Sequence, residues 1–198
     1  MALKSSEIGA ENSPQGLVLA SDVITPQEEI RLISLIEACG PQRYPGDERG
    51  GLSAISFGWR YDMSNGCFSP CAPMPGGFAA VRDLAARFAG LAPESIVQCL
   101  FNRYEKDAEI PWHIDKPVWE HVIGISLGAP ATMRFRKKSG TDYQYADVTL
   151  LPRSIYFMSG EARYSFAHSI PPMTQKRWSI TFRTFSIEGE QLRATLKV

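Results

Sequence analysis

Apolar residues first recur with helical spacing at Ile30, Leu32, Ile33, Leu35 and Ile36. A start signal precedes them. Thr25 suits a cap, Pro26 suits the first helical position, and Glu28 follows Thr25 by the three residues of a capping box. Gly40 closes the run, because glycine takes the left-handed conformation at little steric cost. A short strand is expected just upstream, over residues 16–20. A second helix is expected over 78–88, with Val81, Leu84, Ala85 and Phe88 on one face. The intervening stretch, 40–77, is rich in glycine and proline and carries one aromatic segment, Phe57-Gly58-Trp59-Arg60-Tyr61.

Beyond Pro93 the period shortens. Apolar runs at 97–104, 121–127, 132–136, 148–151, 154–158, 164–168 and 178–185 are punctuated by Gly, Pro and Asp. Several alternate with period two, as Met133 and Phe135 do against Arg134 and Arg136. This pattern predicts a mainly β (α+β) architecture, a double-sheet sandwich or barrel with two N-terminal helices leaning on it. With no internal repeat or long linker, a loose leader at 1–14 and one domain at 15–198 are expected. Within that domain, 15–92 reads as a helical and lid extension and 93–187 as the β core.

Composition narrows the class without choosing the function. With 44% hydrophobic and 21% charged residues, the chain matches a globular domain rather than a collagen, a disordered tail or a coiled coil. No apolar run reaches the roughly 20 residues of a membrane span. The polar N-terminus lacks a signal-peptide core, which points to the cytoplasm. Cys39, Cys67, Cys71 and Cys99 are too few and scattered for a disulfide framework. Cys67 and Cys71 lack the second pair a zinc site needs, so reduced thiols are expected. A formal net charge of zero leaves any nucleic-acid contact to local basic clusters.

The candidate chemistry rests on few residues. The chain has three histidines. His113 and Asp115 are separated by one residue, so extended backbone directs both side chains the same way. His168 closes a later apolar run. Two imidazoles and a carboxylate on one face of an ion leave positions open, the arrangement of non-haem iron(II) oxygenases. For each piece alone, a histidine with a purely structural role is the alternative. His121 alternates with Ile123 and Ile125 and reads as structural. Asn102 and Tyr104 share one strand face. In Arg177-Trp178-Ser179-Ile180-Thr181-Phe182-Arg183, the four polar residues face one way and the three apolar ones the other. Polar side chains aimed into a barrel need a ligand to satisfy them, and a dicarboxylate suits paired arginines and a tyrosine. The alternative is a solvated sheet face.

Taken together, Asn102-Arg103-Tyr104, His113-Ile114-Asp115-Lys116, Ser126-Leu127-Gly128, Pro152-Arg153-Ser154, Ser159-Gly160-Glu161-Ala162-Arg163-Tyr164, His168 and Thr181-Phe182-Arg183 resemble the AlkB family of dioxygenases. The resemblance runs over about residues 16–185 and is strongest from Leu100 onward. It implies a jelly-roll (double-stranded β-helix) core, Fe(II), 2-oxoglutarate as co-substrate, and O2. It matches His113, Asp115 and His168 to the metal ligands. Asn102, Tyr104, Arg177, Ser179 and Arg183 fall at 2-oxoglutarate contacts, with Arg177 at the distal carboxylate. The implied activity is oxidative dealkylation of N-alkylated nucleobases. Pro117 stands where well-known DNA-repair members carry an acidic residue. Ser179 and the Arg163-to-His168 spacing are more similar to the branch that hydroxylates modified uridine in transfer RNA. The RNA-recognition and methyltransferase domains of that branch are not in this chain.

A base stacked in a duplex cannot reach a buried metal, so single-stranded or flipped-base DNA or RNA is the expected partner. Trp59 and Tyr61 are candidate lid aromatics, or else packing residues of the helix layer. Arg134 and Arg136, with Lys137 and Lys138, are candidate phosphate contacts, or else a solvated hairpin. Trp112 either walls the metal pocket or packs. The expected protein is a monomer that does not enter a membrane. Two rivals remain: a hydroxylase of a transfer-RNA base, protein side chain or small metabolite, and a non-catalytic jelly-roll binding module.

Overall fold

The computed structural model describes residues 13–44, 47, 50–62 and 68–196. Most of the leader, and Cys67 with its pairing to Cys71, lie outside the described residues. Cys39, Cys71 and Cys99 are free thiols. Strand β1 (Leu17–Ala20) leads to α1 (Pro26–Ala38), where Thr25 Oγ1 accepts the Glu28 N–H at 3.1 Å. The return half of the expected capping box is replaced, since the Glu28 carboxylate takes two hydrogen bonds from Arg31, at 2.7 and 2.6 Å. Then come β2 (Gln42–Arg43), β3 (Leu52–Phe57), β4 (Trp59–Tyr61), β5 (Phe68–Pro70) and α2 (Ala79–Ala89), the last ended by Gly90 at φ +69°.

The remaining chain is mostly strand: β6 (Ile96–Tyr104), β7 (Ile110–His113), β8 (Trp119–Gly128), β9 (Ala131–Ser139), β10 (Asp142–Leu150) and β11 (Ile155–Met158). After α3 (Gly160–Tyr164) follow β12 (Ala167–Ile170), β13 (Arg177–Phe185) and α4 (Ile187–Thr195). A seven-stranded sheet has the order β1-β11-β8-β13-β6-β3-β2, and a four-stranded sheet the order β10-β9-β12-β7. Every pairing is antiparallel. This is the expected jelly roll with flanking helices.

Side-chain alternation sets the layers. From the large sheet, Phe57, Cys99, Phe101, Ile123, Ile125, Ile180 and Phe182 turn toward the helices and pack with Leu32, Ile36, Phe78, Val81 and Ala85. Each fully buried aliphatic or aromatic chain there is worth about 1.5–3 kcal/mol. The other face of the same strands looks into the space between the sheets, where Val122, Tyr156 and Met158 meet Met133, Phe135, Val148 and Leu150 of the small sheet.

Several elements differ from the sequence expectation, three of them as follows. The region 40–77 supplies β3, which pairs with β6 along its length. Its Ser53, Ala54 and Ser56 are too small and polar to look like a strand. Residues 164–168 are not one strand: α3 occupies Gly160–Tyr164 before β12 begins. A helical turn buries the adjacent Ala162 and Arg163 together, which two-residue alternation cannot do. Residues after 187, unassigned from sequence, form α4, capped by Ser186 Oγ accepting the Gly189 N–H at 3.1 Å. Among the described residues no helix is long and apolar enough to cross a membrane.

Candidate active site

His113 ends β7 and lies directly across from His168 of β12, with ring centroids 4.2 Å apart. Asp115 sits two residues beyond β7, and its Oδ2 is 4.0 Å from His168 Nε2. The sequence-expected trio is therefore brought together. His113 Nδ1 lies 2.9 Å from the Pro111 carbonyl. A carbonyl only accepts, so Nδ1 carries a proton, and Nε2 is the nitrogen left for a metal in the neutral ring. Among the described residues no three His, Cys, Asp or Glu side chains stand at closed metal-ligand spacing. Ligand bonds of about 2.1 Å put neighbouring donors of an octahedral ion about 3 Å apart. The trio is gathered but open by roughly that difference.

Charge at the trio is arranged for donors. Burial works against the Asp115 carboxylate, but Arg183, His168, His113 and Arg163 outweigh it and hold its pKa well below the usual carboxylate range. Burial, with His113 and the two arginines, holds His168 down to about 3 against the opposing pull of Asp115. A neutral imidazole beside an ionised carboxylate is a donor set suited to a divalent metal. Arg183 Nη2 bonds Asp115 Oδ1 at 2.9 Å, while Oδ2, next to His168, is buried without a hydrogen-bond partner. Burying such an atom is costly unless something else engages it.

Arg163 is the main functional residue missed in the sequence. It is buried on α3 and donates to two carbonyls of the loop after β7, Asp115 at 3.2 Å and Lys116 at 2.6 Å, and to that of Trp119 at the start of β8, at 2.6 Å. It thereby fixes the segment that carries the carboxylate. The only advance signal was its place in a recognised motif.

Beside the trio, the inner face of β6, β8 and β13 is polar. Arg177 pairs in register with Tyr104, and Ser179 with Asn102 and Ser126. The Arg177 guanidinium lies 4.8 Å from the Tyr104 ring centroid and its Nε donates to Ser126 Oγ at 3.3 Å. Its Nη1 is buried without a partner. Asn102 Nδ2 reaches Ser179 Oγ at 3.4 Å. Arg183 is placed differently from Arg177, bonding Asp115 and Gln98 Oε1, the latter at 2.8 Å. Two residues given no site role from the sequence belong to this wall. Ser126 is fully buried. Tyr156 lies against Gly124, its phenol pushed up to about 12 by burial and by nearby Tyr104 and Asp115, with Arg177 and Arg183 opposing.

A family model, 2OG-Fe(II) oxygenase superfamily, matches residues 19–184. The chain belongs to this superfamily. It is an AlkB-type, 2-oxoglutarate-dependent dioxygenase. Curated relatives include the tRNA (carboxymethyluridine(34)-5-O)-methyltransferase alkbh8 of Xenopus tropicalis. It is 28% identical over 174 residues, covering 84% of this chain and 27% of the relative. The corresponding mouse protein is 29% identical over 83% of this chain and 26% of its own length. The chain thus spans about a quarter of these relatives. The alkylated DNA repair protein ALKBH8 homolog of Arabidopsis thaliana is 26% identical, covering 84% of this chain and 54% of the relative. Among solved structures, OsALKBH1 superposes with a TM-score of 0.65 at 20% identity, covering 87% of this chain and 97% of that one. A Burkholderia pseudomallei 2OG-Fe(II) oxygenase-family protein gives 0.56 at 17% identity, covering 86% and 84%. At these identities the structural likeness concerns the fold.

The four candidate substrate residues of the dioxygenase fall in two places. Trp59 stacks on Phe68 at 4.9 Å and meets Phe185 edge-on at 5.4 Å, inside a cluster with Trp119. It packs there in an aromatic cluster apart from the helix layer. Tyr61, on the same hairpin, has Lys116 Nζ 5.1 Å from its ring and lines a cavity of about 340 Å³ with Pro117, Leu192 and Leu196. Arg134 and Arg136 lie on the outer face of the small sheet, their guanidinium carbons 5.1 and 4.4 Å from the Trp112 ring. Trp112 therefore packs beneath arginines instead of walling the trio. His121 sits half-buried against Thr184 Oγ1, 3.0 Å from its Nδ1, away from the trio as expected.

Proposed function

We propose that this dioxygenase oxidises an alkyl carbon on a nucleobase presented in single-stranded or flipped-out form. Its leading reaction would be the dealkylation of N-alkylated bases. Fe(II) would be held by His113, Asp115 and His168, and 2-oxoglutarate by Arg177, Tyr104, Asn102 and Ser179. The observation that carries the reading is Asp115 Oδ2, a buried anionic oxygen with no hydrogen-bond partner beside two imidazoles. Together with O2, iron and 2-oxoglutarate held there would supply an oxidative decarboxylation giving succinate, carbon dioxide and a hydroxylated substrate carbon.

The chain's own residues bind, orient and exclude water. Arg163 and Arg183 fix Asp115 from its backbone and its Oδ1, leaving Oδ2 free to face a cation. The Pro111 carbonyl fixes the His113 tautomer, a device common to metal-binding histidines. Arg177 offers its unpartnered Nη1 to a carboxylate, with the Tyr104 ring beneath its guanidinium. Tyr156 adds a phenol that stays protonated and so can donate. Arg183 serves as a positioning residue for Asp115 more than as a second clamp. Hydroxylation next to nitrogen gives a hydroxymethyl group, which leaves as formaldehyde and restores the N–H.

Two observations favour a second outcome. Relatives that share most of this chain are transfer-RNA methyltransferases by name, and Ser179 occupies the clamp strand. Hydroxylation of a modified transfer-RNA base at carbon, without formaldehyde release, is that reading. A succinate-release screen over methylated oligonucleotides and transfer RNA separates the two. Formaldehyde in step with succinate supports dealkylation, whereas a product heavier by one oxygen supports hydroxylation. Asp115→Ala should abolish both, and comparable turnover by that variant would overturn the proposed centre.

A further inference from the structure

The outer face of the small sheet carries a feature the centre does not use. All four helices pack against strands of the large sheet, namely β8, β11 and β13. On the small sheet, alternation sends Phe135, His168 and His113 inward and the residues between them outward. The outward set on β9 and β10 is Arg134, Arg136 and Lys138 against Tyr143 and Tyr145, with Tyr145 opposite Arg136 and Tyr143 opposite Lys138. Both tyrosines are solvent-facing, Tyr143 at 47% and Tyr145 at 59% exposure. Strand β7 adds Trp112 to the same face. Arg136 lies between two rings, 4.4 Å from that of Trp112 and 5.2 Å from that of Tyr143. Tyr145 meets Trp112 at 6.4 Å and Tyr143 at 6.0 Å.

We propose that this face is a docking strip for single-stranded nucleic acid, with Tyr143 and Tyr145 stacking bases and with Lys138 and the Trp112-backed Arg134 and Arg136 taking the phosphates. The proposal rests on the nucleobase reading of the centre and extends it to the strand around the target base. Three observations select this occupant. Aromatic rings interleaved with cations are what a single strand requires, because every base has a stacking face and every link a negative charge. The face concentrates positive charge in a chain whose formal net charge is zero, and Asp147, opposite Arg134, is the one acidic partner in the β9–β10 register on that side. The strip also adjoins the centre: Trp112 immediately precedes His113, so a strand crossing the rings passes the wall behind which the trio sits. A duplex hides its base faces and would gain only the phosphate contacts.

Fluorescence anisotropy with an unmodified, end-labelled 12-nucleotide single strand tests the strip on the full chain. Alanine at Tyr143 and Tyr145 together should weaken binding at least about tenfold, given the usual cost of losing a stacked base. Phenylalanine at both should bind within about twofold of the parent, since it keeps the rings. Arg134→Gln with Arg136→Gln should reduce the slope of log affinity against log salt by roughly 0.7 for each phosphate no longer neutralised. The same alanine variant should still release succinate with a methylated mononucleoside, which is too short to reach the strip. Unchanged single-strand affinity in the alanine variant, or a parent protein that does not bind the strand at all, overturns the strip while leaving the centre intact. Failure of every base substrate alongside ring-dependent strand binding would instead overturn the catalytic reading alone.

Discussion

Gly124 illustrates how much of this site depends on single side chains, including absent ones. A Cβ there would lie 2.2 Å from two ring carbons of Tyr156 and 2.4 Å from its hydroxyl. The ring cannot retreat easily, because Tyr156 is paired to Gly124 across β8 and β11 and is itself buried. Gly124→Ala should displace the phenol, cost about 1–3 kcal/mol in overpacking, and weaken 2-oxoglutarate binding about tenfold. Urea melts and co-substrate titration read the two effects separately. A stability loss with unchanged affinity would remove Tyr156 from the co-substrate wall. Arg163 acts from the opposite side. Arg163→Met would strip three carbonyls of their donor and should cost on the order of 3 kcal/mol. It should also lower metal affinity, although Arg163 touches no proposed ligand atom. Metal affinity equal to the parent's would show that the loop holds Asp115 unaided.

At the scale of elements, α1 is fastened to the sheet by Glu37. Its carboxylate takes the Trp178 indole N–H at 2.7 Å and Arg103 Nη1 at 3.1 Å, with Lys176 Nζ at 3.6 Å. Burial raises the Glu37 pKa, but those donors and cations outweigh it and leave it below the ordinary 4.5. As pH falls, the unfolded chain therefore takes up this proton first. The stabilisation is complete above about 4.5 and drains away as pH drops through the folded-state value. The gap in urea midpoint between the parent and Glu37→Gln should accordingly close in acid, and a gap independent of pH would mean the charge contributes nothing. The same elements show what the sequence could reveal. Helix α1 was legible because its cap, its proline and its apolar face are all local. Strand β13 was legible because one face is wholly apolar. In contrast, β3 was hidden because Leu52 is the one large apolar residue on its inner face, followed there by Ala54 and Ser56. The start of the 164–168 run was misread because Arg163, an apparent surface residue, is turned inward by α3. His113 and Asp115 could be paired from their spacing alone. The hold of Arg183 on Asp115 spans 68 positions and has no local signature.

Over the whole molecule, the proposed metal site joins parts that are otherwise separately packed. His113 and His168 belong to the small sheet, Asp115 to the loop that Arg163 holds, and Arg183 brings the large sheet to the same carboxylate. An ion there would pull three donors together and tie that loop to both sheets, contacts that the unfolded chain lacks. Binding to the folded state alone stabilises it by about 2.7 kcal/mol when free metal exceeds its dissociation constant a hundredfold. For a chain of this size that is a rise in melting temperature of about 5–10 °C. Manganese(II) in the absence of oxygen makes the measurement without turnover, and 2-oxoglutarate should then add a second increment. Asp115→Ala should lose the metal increment, and with it most of the co-substrate's. Arg177→Met should keep the first and lose the second, because its unpartnered Nη1 lies in the co-substrate wall and not among the ligands. Equal metal-induced shifts in Asp115→Ala and the parent would place the ion elsewhere. A co-substrate shift that survives Arg177→Met would mean the diacid is held by something other than the polar face of β13.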